Sequence, residues 1–436
     1  MSDTDQQRRK VGLAGATALV VANMIGVGIF TTTGFLLADM PSRGWVLFAW
    51  LVGGIMALLG AACYGALAQR LPESGGEYFF LSKTIHPSVG YISGWLSLFV
   101  GFSAPIAAAA YGVGVYAQPW LFGVEARWTG TFAILMIAFI HGGGVRKGLL
   151  LQNLMVGLKL IFLAIFLSWS GFQIEKQPPM PVSEFQFSTF TVSLVWIFFA
   201  YSGWNAVVYI AGEVKKPQRN LPRSMLYGTS IVIAFYLALN GVFLWSTPPD
   251  AISGKENVAS IVAESLGGAN LAAFVSLMIV VSLITSISAM LMAGPRVYAK
   301  MADDGYLPTW MKSPNPPGWE NMVFQVVVVF LLLWIPRFQD LLTYIGFTLG
   351  IGTALTVIGL IRLKIKEGRN IHVIGWPLTP VLFLAMVLWV TAFSIWNKPL
   401  PSAYGLLTLG LGWFAWWFQE KGKSKRGFSE PKIGKP

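Results

Sequence analysis

Charge is what this chain has least of. Only 11% of its 436 residues are Asp, Glu, Lys or Arg, against about a quarter in an ordinary water-exposed domain. As the sequence divides into apolar runs, no Asp or Glu falls in the middle of one. There is a single cysteine, Cys63, within an apolar run. No disulfide can close within the chain, and no thiol stands in an external loop to tether a second subunit. A disulfide-linked heavy subunit is therefore not expected. The three histidines, His86, His141 and His372, stand at the ends of apolar runs without metal-ligand spacing. No run carries paired carboxylates, or a thiol with a histidine beside it in sequence. These gaps speak against an enzyme, a metal site and an organic cofactor. The first ten residues are polar and read as a tail, not as a cleaved leader.

What the chain has in abundance is apolar surface, with 55% hydrophobic residues. A helix of about 20 such residues crosses a bilayer. The chain divides into twelve candidate spans, starting near Val11, Trp45, Gly90, Trp128, Gly148, Phe190, Arg223, Asn270, Met322, Phe338, Ile374 and Pro401. An all-α membrane protein of about 12 transmembrane helices is predicted, with the lipid bilayer as its solvent. The net charge of +12 would suit nucleic acid if it were gathered in one place, but it alternates loop by loop. With the N-terminus in the cytoplasm, inner segments hold 24 Lys and Arg, from Arg8, Arg9 and Lys10 to the C-terminal tail. Outer loops hold six: Arg43, Arg127, Lys176, Lys255, Arg337 and Lys398. This is the positive-inside pattern. It predicts cytoplasmic N- and C-termini and accounts for the basic charge without nucleic acid.

Two of the spans are interrupted. The first breaks at Ile25-Gly26-Val27-Gly28-Ile29-Phe30. The sixth breaks at Tyr201-Ser202-Gly203, followed by Trp204 and Asn205. A broken helix frees N–H and C=O groups that lipid cannot satisfy, so it must be buried in protein or line a wet cavity. In secondary transporters such breaks form the substrate site near the midplane. The two breaks are expected to face one another across a small-molecule site. The alternative for the first is plain packing of small residues between helices.

Three connections on the inner side carry distinctive residues. Leu71-Pro-Glu-Ser-Gly-Gly-Glu-Tyr78 turns at its glycines, and Tyr78-Phe79-Phe80 suggest an interfacial helix. Lys215-Lys216-Pro217 through Pro222 follows the sixth span. Pro295-Arg296 and Asp303-Asp304-Gly305-Tyr306-Leu307-Pro308 flank the end of the eighth. They are either polar loops that hold topology or an inner gate whose charges pair, with Glu213 as an acidic partner for a gate arginine.

Taken together and in order, these motifs resemble the amino acid–polyamine–organocation (APC) superfamily of transporters over roughly Val11 to Glu420. The matching residues are Ile25-Gly-Val-Gly-Ile-Phe30, Pro72-Glu-Ser-Gly-Gly-Glu-Tyr78, Gly144-Val-Arg146 with Gln152-Asn153, Arg296, Asp304-Gly-Tyr-Leu-Pro308 and Gly346-Phe-Thr-Leu349. The most specific run is Phe198-Phe-Ala-Tyr-Ser-Gly-Trp-Asn205 with Gly212-Glu-Val-Lys-Lys-Pro217 and Asn220-Leu-Pro-Arg223. It is most similar to the L-type amino acid transporter branch and its bacterial relatives. The resemblance implies a cytoplasmic tail (1–10), a first inverted repeat of five helices (11–171) and a second (186–366). It also implies two peripheral helices (374–420) and a basic cytoplasmic tail (421–436).

With an amino acid as substrate, its carboxylate would meet backbone N–H groups around Val27, Gly28 and Ile29, where glycine permits close approach and a half-helix begins. Its ammonium would meet carbonyls of Phe199, Ala200 and Ser202. The resemblance makes Phe199 an aromatic lid, with core packing as the other reading. It sets Ser202 where relatives that accept cationic substrates can carry an aspartate. Serine offers no counter-charge, and an unpaired buried cation is costly, so neutral amino acids are favoured. Trp204 and Asn205 match the motif and have structural roles as an alternative.

Lys159 lies about 18 Å along the fifth span from Lys147, counted at 1.5 Å per residue. A charge at that depth points to function. In sodium-coupled relatives of the architecture a sodium ion links helices one, five and eight, and in sodium-independent members a lysine takes its place. Lys159 resembles the latter. Its expected partners are carbonyls near Ile25 and Gly26 and the hydroxyls of Ser282, Thr285 and Ser286, which share a helix face. The other reading is a lysine in a wet crevice. As a coupling group it would either carry a proton in transit or stay charged, giving proton symport or exchange. The resulting expectation is a sodium-independent permease of neutral L-amino acids in a bacterial inner membrane, with exchange favoured. The alternatives are a proton-coupled symporter of cationic amino acids or polyamines, and a nutrient sensor built on the transporter fold.

Overall fold

The computed structural model describes residues 11–121, 123–142, 145–171, 184–313, 318–335 and 337–425. The predicted tail with Arg8, Arg9 and Lys10, Gly144, Lys176 and the tail beyond 425 lie outside the described residues. So do the side chains of Arg146, Lys147, Gln152 and Asn153.

The chain closes its backbone polar groups within helices, as an apolar surround requires. The first run is split into α1 (Leu13–Met24) and α2 (Val27–Asp39), followed by the unbroken α3 (Arg43–Arg70) and the short α4 (Gly76–Thr84). Next, α5 (Pro87–Leu96) passes through a π-helical turn, Ser97–Ser103, into α6 (Ala104–Tyr116). Then come α7 (Ala126–Gly142), α8 (Val145–Gly171) and α9 (Phe187–Ala200). A 3-10 segment, Ala206–Glu213, leads into α10 (Pro217–Ser246) and the single turn α11 (Pro249–Ile252). The long α12 (Val258–Asp303) is interrupted by non-helical Gly267 and Gly268. The chain ends with α13 (Trp319–Leu333), α14 (Phe338–Glu367), α15 (Leu378–Asn397) and α16 (Pro399–Lys425). Among the described residues there is no strand, only one isolated bridge between Val11 and Val214.

Among the described residues, seven helical runs are long and apolar enough to cross a membrane: Leu13–Asp39, Arg43–Arg70, Pro87–Tyr116, Pro217–Ser246, Val258–Asp303, Phe338–Glu367 and Leu378–Asn397. Shorter apolar helices cover Ala126–Ile140, Val156–Gly171, Phe187–Ala200 and Trp319–Leu333. The outer surface is apolar too. Phe139 is 81% exposed and Trp396 87%, which suits lipid and would be an aggregation hazard in water.

Inside, α10 lies along α3 and α1, α6 packs between α7 and α12, and α14 contacts α9, α15 and α16. Buried hydroxyls bond to carbonyls of their own helix, as Thr31 does to Val27 O (3.1 Å) and Thr348 to Tyr344 O (2.7 Å). In the π-helical turn, Ser103 Oγ reaches back five residues to Leu98 O at 2.6 Å. The widened turn presents Gly101, Phe102 and Pro105 to the interior cavity.

The aromatics after α3 form a helix, as the sequence suggests, and they turn into the protein. Tyr78, Phe79 and Phe80 are all buried. The reason is the turn before them: Gly75 and Gly76 have φ of 122° and 56°, open mainly to glycine. They fold α4 back under the helical body, where Gly76 packs against the Tyr209 ring so closely that a Cβ would fall 2.2 Å from it.

Candidate functional site

The first break begins where α1 ends. Gly26 takes an extended conformation (φ −116°, ψ −159°) and α2 starts at Val27. The first N–H groups of a helix have no partner within it, so those of Val27, Gly28 and Ile29 head α2 unpaired by the helix. The second break follows α9. Gly203 has φ +102°, which carries the chain out of the helix before the 3-10 segment.

The two breaks touch. A Cβ on Gly28 would lie 2.7 Å from Ala200 Cα, and one on Gly203 would lie 2.8 Å from the carbonyl carbon of Asn23. Only glycine fits at either contact. One phenol joins both: the single O–H of Tyr236 on α10 is shared between Met24 O at 2.6 Å and Ala200 O at 3.1 Å. It satisfies a carbonyl freed at each break. Nothing in the sequence around Tyr236 sets it apart from other tyrosines in apolar helices.

Between the breaks lies a cavity of about 70 Å³, counted as space for water centres. At 10–15 Å³ per water that is about five waters. Of the residues singled out in the sequence, Gly26, Val27, Gly28, Phe199, Ala200, Ser202, Gly203, Trp204 and Asn205 border it. Ile25, Ile29 and Tyr201 do not. Ile25 turns its carbonyl the other way, Ile29 is buried in the core, and Tyr201 packs on Trp50 and Tyr236. Of the three carbonyls considered for an ammonium, Phe199 O already accepts from Ser202 N at 2.9 Å and Ala200 O from Tyr236. Each retains a second lone pair.

Lys159 is 4% exposed and sits behind the first break, not in the cavity. Its Nζ donates to Ile25 O at 2.5 Å, Ser286 Oγ at 3.4 Å and Ser282 O at 3.5 Å. It thus ties α8 to the break and to α12. Ser286 Oγ bonds in turn to Ala22 O and Ile25 O, at 3.1 and 2.9 Å. Ser282 enters through its carbonyl, which also accepts from Thr285 Oγ1 at 2.6 Å. Thr285 makes no bond to the ammonium. No carboxylate forms an ion pair with Lys159 among the described residues.

The sequence offers no acidic residue for the cavity; the structure supplies Glu77. It lies on α4, outside the runs long enough to span, yet it borders the cavity because the turn at Gly75 and Gly76 folds it inward. Its Oε1 accepts from Tyr64 Oη and from Asn205 Nδ2, the latter at 3.1 Å. Burial pushes its carboxyl above the ordinary range, partly offset by these two bonds. Asn205 therefore connects the second break to a buried acid. Gly101, Phe102, Pro105, Ala109, Met290 and Thr353 also border the cavity and carry no distinctive motif. Among the described residues no cluster of His, Cys, Asp or Glu could hold a metal ion.

The basic connections meet in pairs at one end of the bundle. Arg296 Nε lies 2.8 Å from Glu213 Oε1, so Glu213 does partner an arginine. Arg70 Nε lies 2.7 Å from Glu367 Oε2. Asp304 accepts from Tyr78 Oη at 2.6 Å and pairs with Lys300 at 2.8 Å. Cys63 is buried.

The profile of the amino acid permease family matches residues 11–416. The chain is 26% identical to the human large neutral amino acids transporter small subunit 2, covering 93% of this chain and 79% of that protein. It is 27% identical to the serine/threonine exchanger SteT of Bacillus subtilis, over 92% and 94%. To the mouse b(0,+)-type amino acid transporter 1 it is 24% identical, over 91% and 84%. With nearly its whole length matched and its apolar helices built to lie in a membrane, the chain belongs to the amino acid permease family and is an integral membrane transporter, not an enzyme.

Proposed function

We propose that the protein is a sodium-independent permease of neutral L-amino acids that works by alternating access, with exchange as its mode. The carrying observation is the contact of two helix breaks at Gly28 and Ala200 beside one cavity. The start of α2 offers N–H groups to a carboxylate, and the end of α9 offers carbonyls to an ammonium. About five waters occupy about 150 Å³ of liquid, which suits a small to mid-sized amino acid. Ser202 gives a cationic side chain no counter-charge. Lys159, held by carbonyls and a hydroxyl, takes the place a coupling cation would need, which supports sodium independence.

In this reading the chain makes twelve crossings. Helices one to five and six to ten form two inverted repeats, broken in helices one and six, and α15 and α16 are peripheral. Both termini face the cytoplasm of a bacterial inner (plasma) membrane. The pairs Arg296–Glu213, Arg70–Glu367 and Tyr78–Asp304 then form the closed inner gate. The similarity to a bacterial exchanger supports both the setting and the mode.

Glu77 favours a second reading, in which the protein couples to protons or accepts cationic amino acids. Uptake of radiolabelled L-leucine and L-serine into proteoliposomes without sodium separates the two. Uptake that requires internal amino acid and ignores a proton gradient is the expected result. Uptake into empty vesicles driven by an inward proton gradient would replace exchange with proton symport. Uptake of L-arginine in place of the neutral substrates would overturn the proposed substrate class.

A further inference from the structure

Glu77 is 6% exposed and shares the cavity wall with Gly28, Ala200 and Asn205. Only its Oε1 is bonded, to Tyr64 and Asn205; its Oε2 receives no donor among the described residues. The groups around it are neutral. From α3 comes the Tyr64 phenol, and from the second break and the 3-10 segment come the Asn205 amide and the Tyr209 phenol. From α14 come Thr353, on the same cavity wall, and Gly352, where an added Cβ would lie 3.6 Å from Oε2. The cations of the surrounding helices are engaged elsewhere: Lys300, beside the turn at Gly75, with Asp304, Arg296 with Glu213, and Lys159 with the far side of the first break. An ionised Glu77 would be a buried anion without a counter-ion, a costly state.

We propose that Glu77 is a proton-or-cation switch in the substrate cavity. Its Oε2 carries a proton while the cavity is empty or holds a neutral amino acid, and releases it when an amino acid with a cationic side chain enters. The Oε2–H bond breaks, the proton passes to cavity water, and the electron pair stays on the carboxylate, which pairs with the incoming ammonium or guanidinium. Both occupied states are then electrically balanced. A neutral zwitterion sits beside a neutral acid, or one extra positive charge sits beside one negative charge. The switch rests on the reading of this cavity as an amino acid site and adds a second, pH-selected substrate class to it.

The test uses the purified full-length protein. Infrared spectra at neutral pH, without any amino acid, should show a protonated-carboxyl C=O band that Glu77→Gln removes and Glu256→Gln leaves in place. Competition of L-lysine against bound radiolabelled L-leucine should strengthen as pH rises, by up to tenfold per pH unit, the limit for one released proton. Glu77→Gln should lose that dependence, with L-lysine weak throughout. Tyr64→Phe, which removes one donor to the carboxylate, should shift the dependence to higher pH and serves if Glu77→Gln fails to fold. Equal L-lysine competition at all pH values, or a Glu77→Gln variant that keeps the pH dependence, would overturn the switch. An unchanged infrared band in Glu77→Gln would overturn it too, whatever the binding results. Failure of L-leucine to bind at any pH would count against the amino acid site itself, and the infrared comparison would still decide the protonation of Glu77.

Discussion

Lys159 is a buried amine whose partners are all neutral. Its ammonium meets Ile25 O, Ser282 O and Ser286 Oγ. Deleting it strands no carboxylate, so the usual penalty for breaking a buried ion pair does not arise. Lys159→Ala should therefore fold, with Ser286 still bonded to Ala22 O and Ile25 O. What it removes is the charge behind the first break. The expected outcome is a fall of at least about tenfold in amino acid uptake into proteoliposomes, with an unchanged elution profile of the purified protein. An intact rate with wild-type pH dependence would remove Lys159 from coupling and leave it a structural tie. This residue is legible in the sequence because a lysine in an apolar run is rare and costly. Glu77 is not legible in the same way. It sits in a Pro- and Gly-containing connection that reads as a surface loop, and only the positive φ of Gly75 and Gly76 brings it inward.

At the scale of helices, the two breaks are visible as glycines within apolar runs, and the structure shows why glycine is needed there. Cβ atoms at Gly28 and Gly203 would collide with backbone of the opposite break. What holds the breaks together is less visible. Tyr236 joins Met24 O across 212 residues of chain and Ala200 O across 36, and pairings at such separation leave no local pattern. The widened turn at Ser97–Ser103 is hidden for the same reason, since its Ser103 bond depends on backbone geometry rather than periodicity. Tyr236→Phe keeps the ring and its packing on Trp50 and Tyr201 while deleting both bonds. With one proton shared between the two carbonyls, and about 0.5–1.5 kcal/mol for a buried hydrogen bond, the variant should lose about 1 kcal/mol. Thermal unfolding in detergent should read this as a lowered midpoint, accompanied by slower uptake as the breaks loosen. A wild-type midpoint would mean that water takes over both carbonyls.

For the whole molecule, the alternation of basic residues is the ground for the proposed orientation, with both termini in the cytoplasm. Eleven of the twelve predicted starts lie within two turns of the start of a helix, and the eighth, near Asn270, falls inside α12 just past its interruption at Gly267 and Gly268, so these helices were readable from apolar length. The side of the membrane proposed for each connection rests on charge alone. Lys255 lies before α12 and Lys366 in the last turn of α14, with α12, α13 and α14 between them. In the proposed twelve-crossing reading each of these three helices crosses once, which puts the two lysines on opposite faces. Both are exposed, and the one native thiol, Cys63, is buried at 0% exposure, so it should not compete for a labelling reagent. A membrane-impermeant maleimide on intact cells should label Lys255→Cys and spare Lys366→Cys, and inside-out vesicles should reverse the pattern. The opposite result would invert the molecule and place Arg296–Glu213 in an outer gate. Labelling of both from one side would require an even number of crossings between them, which would break the twelve-helix count at α12 to α14.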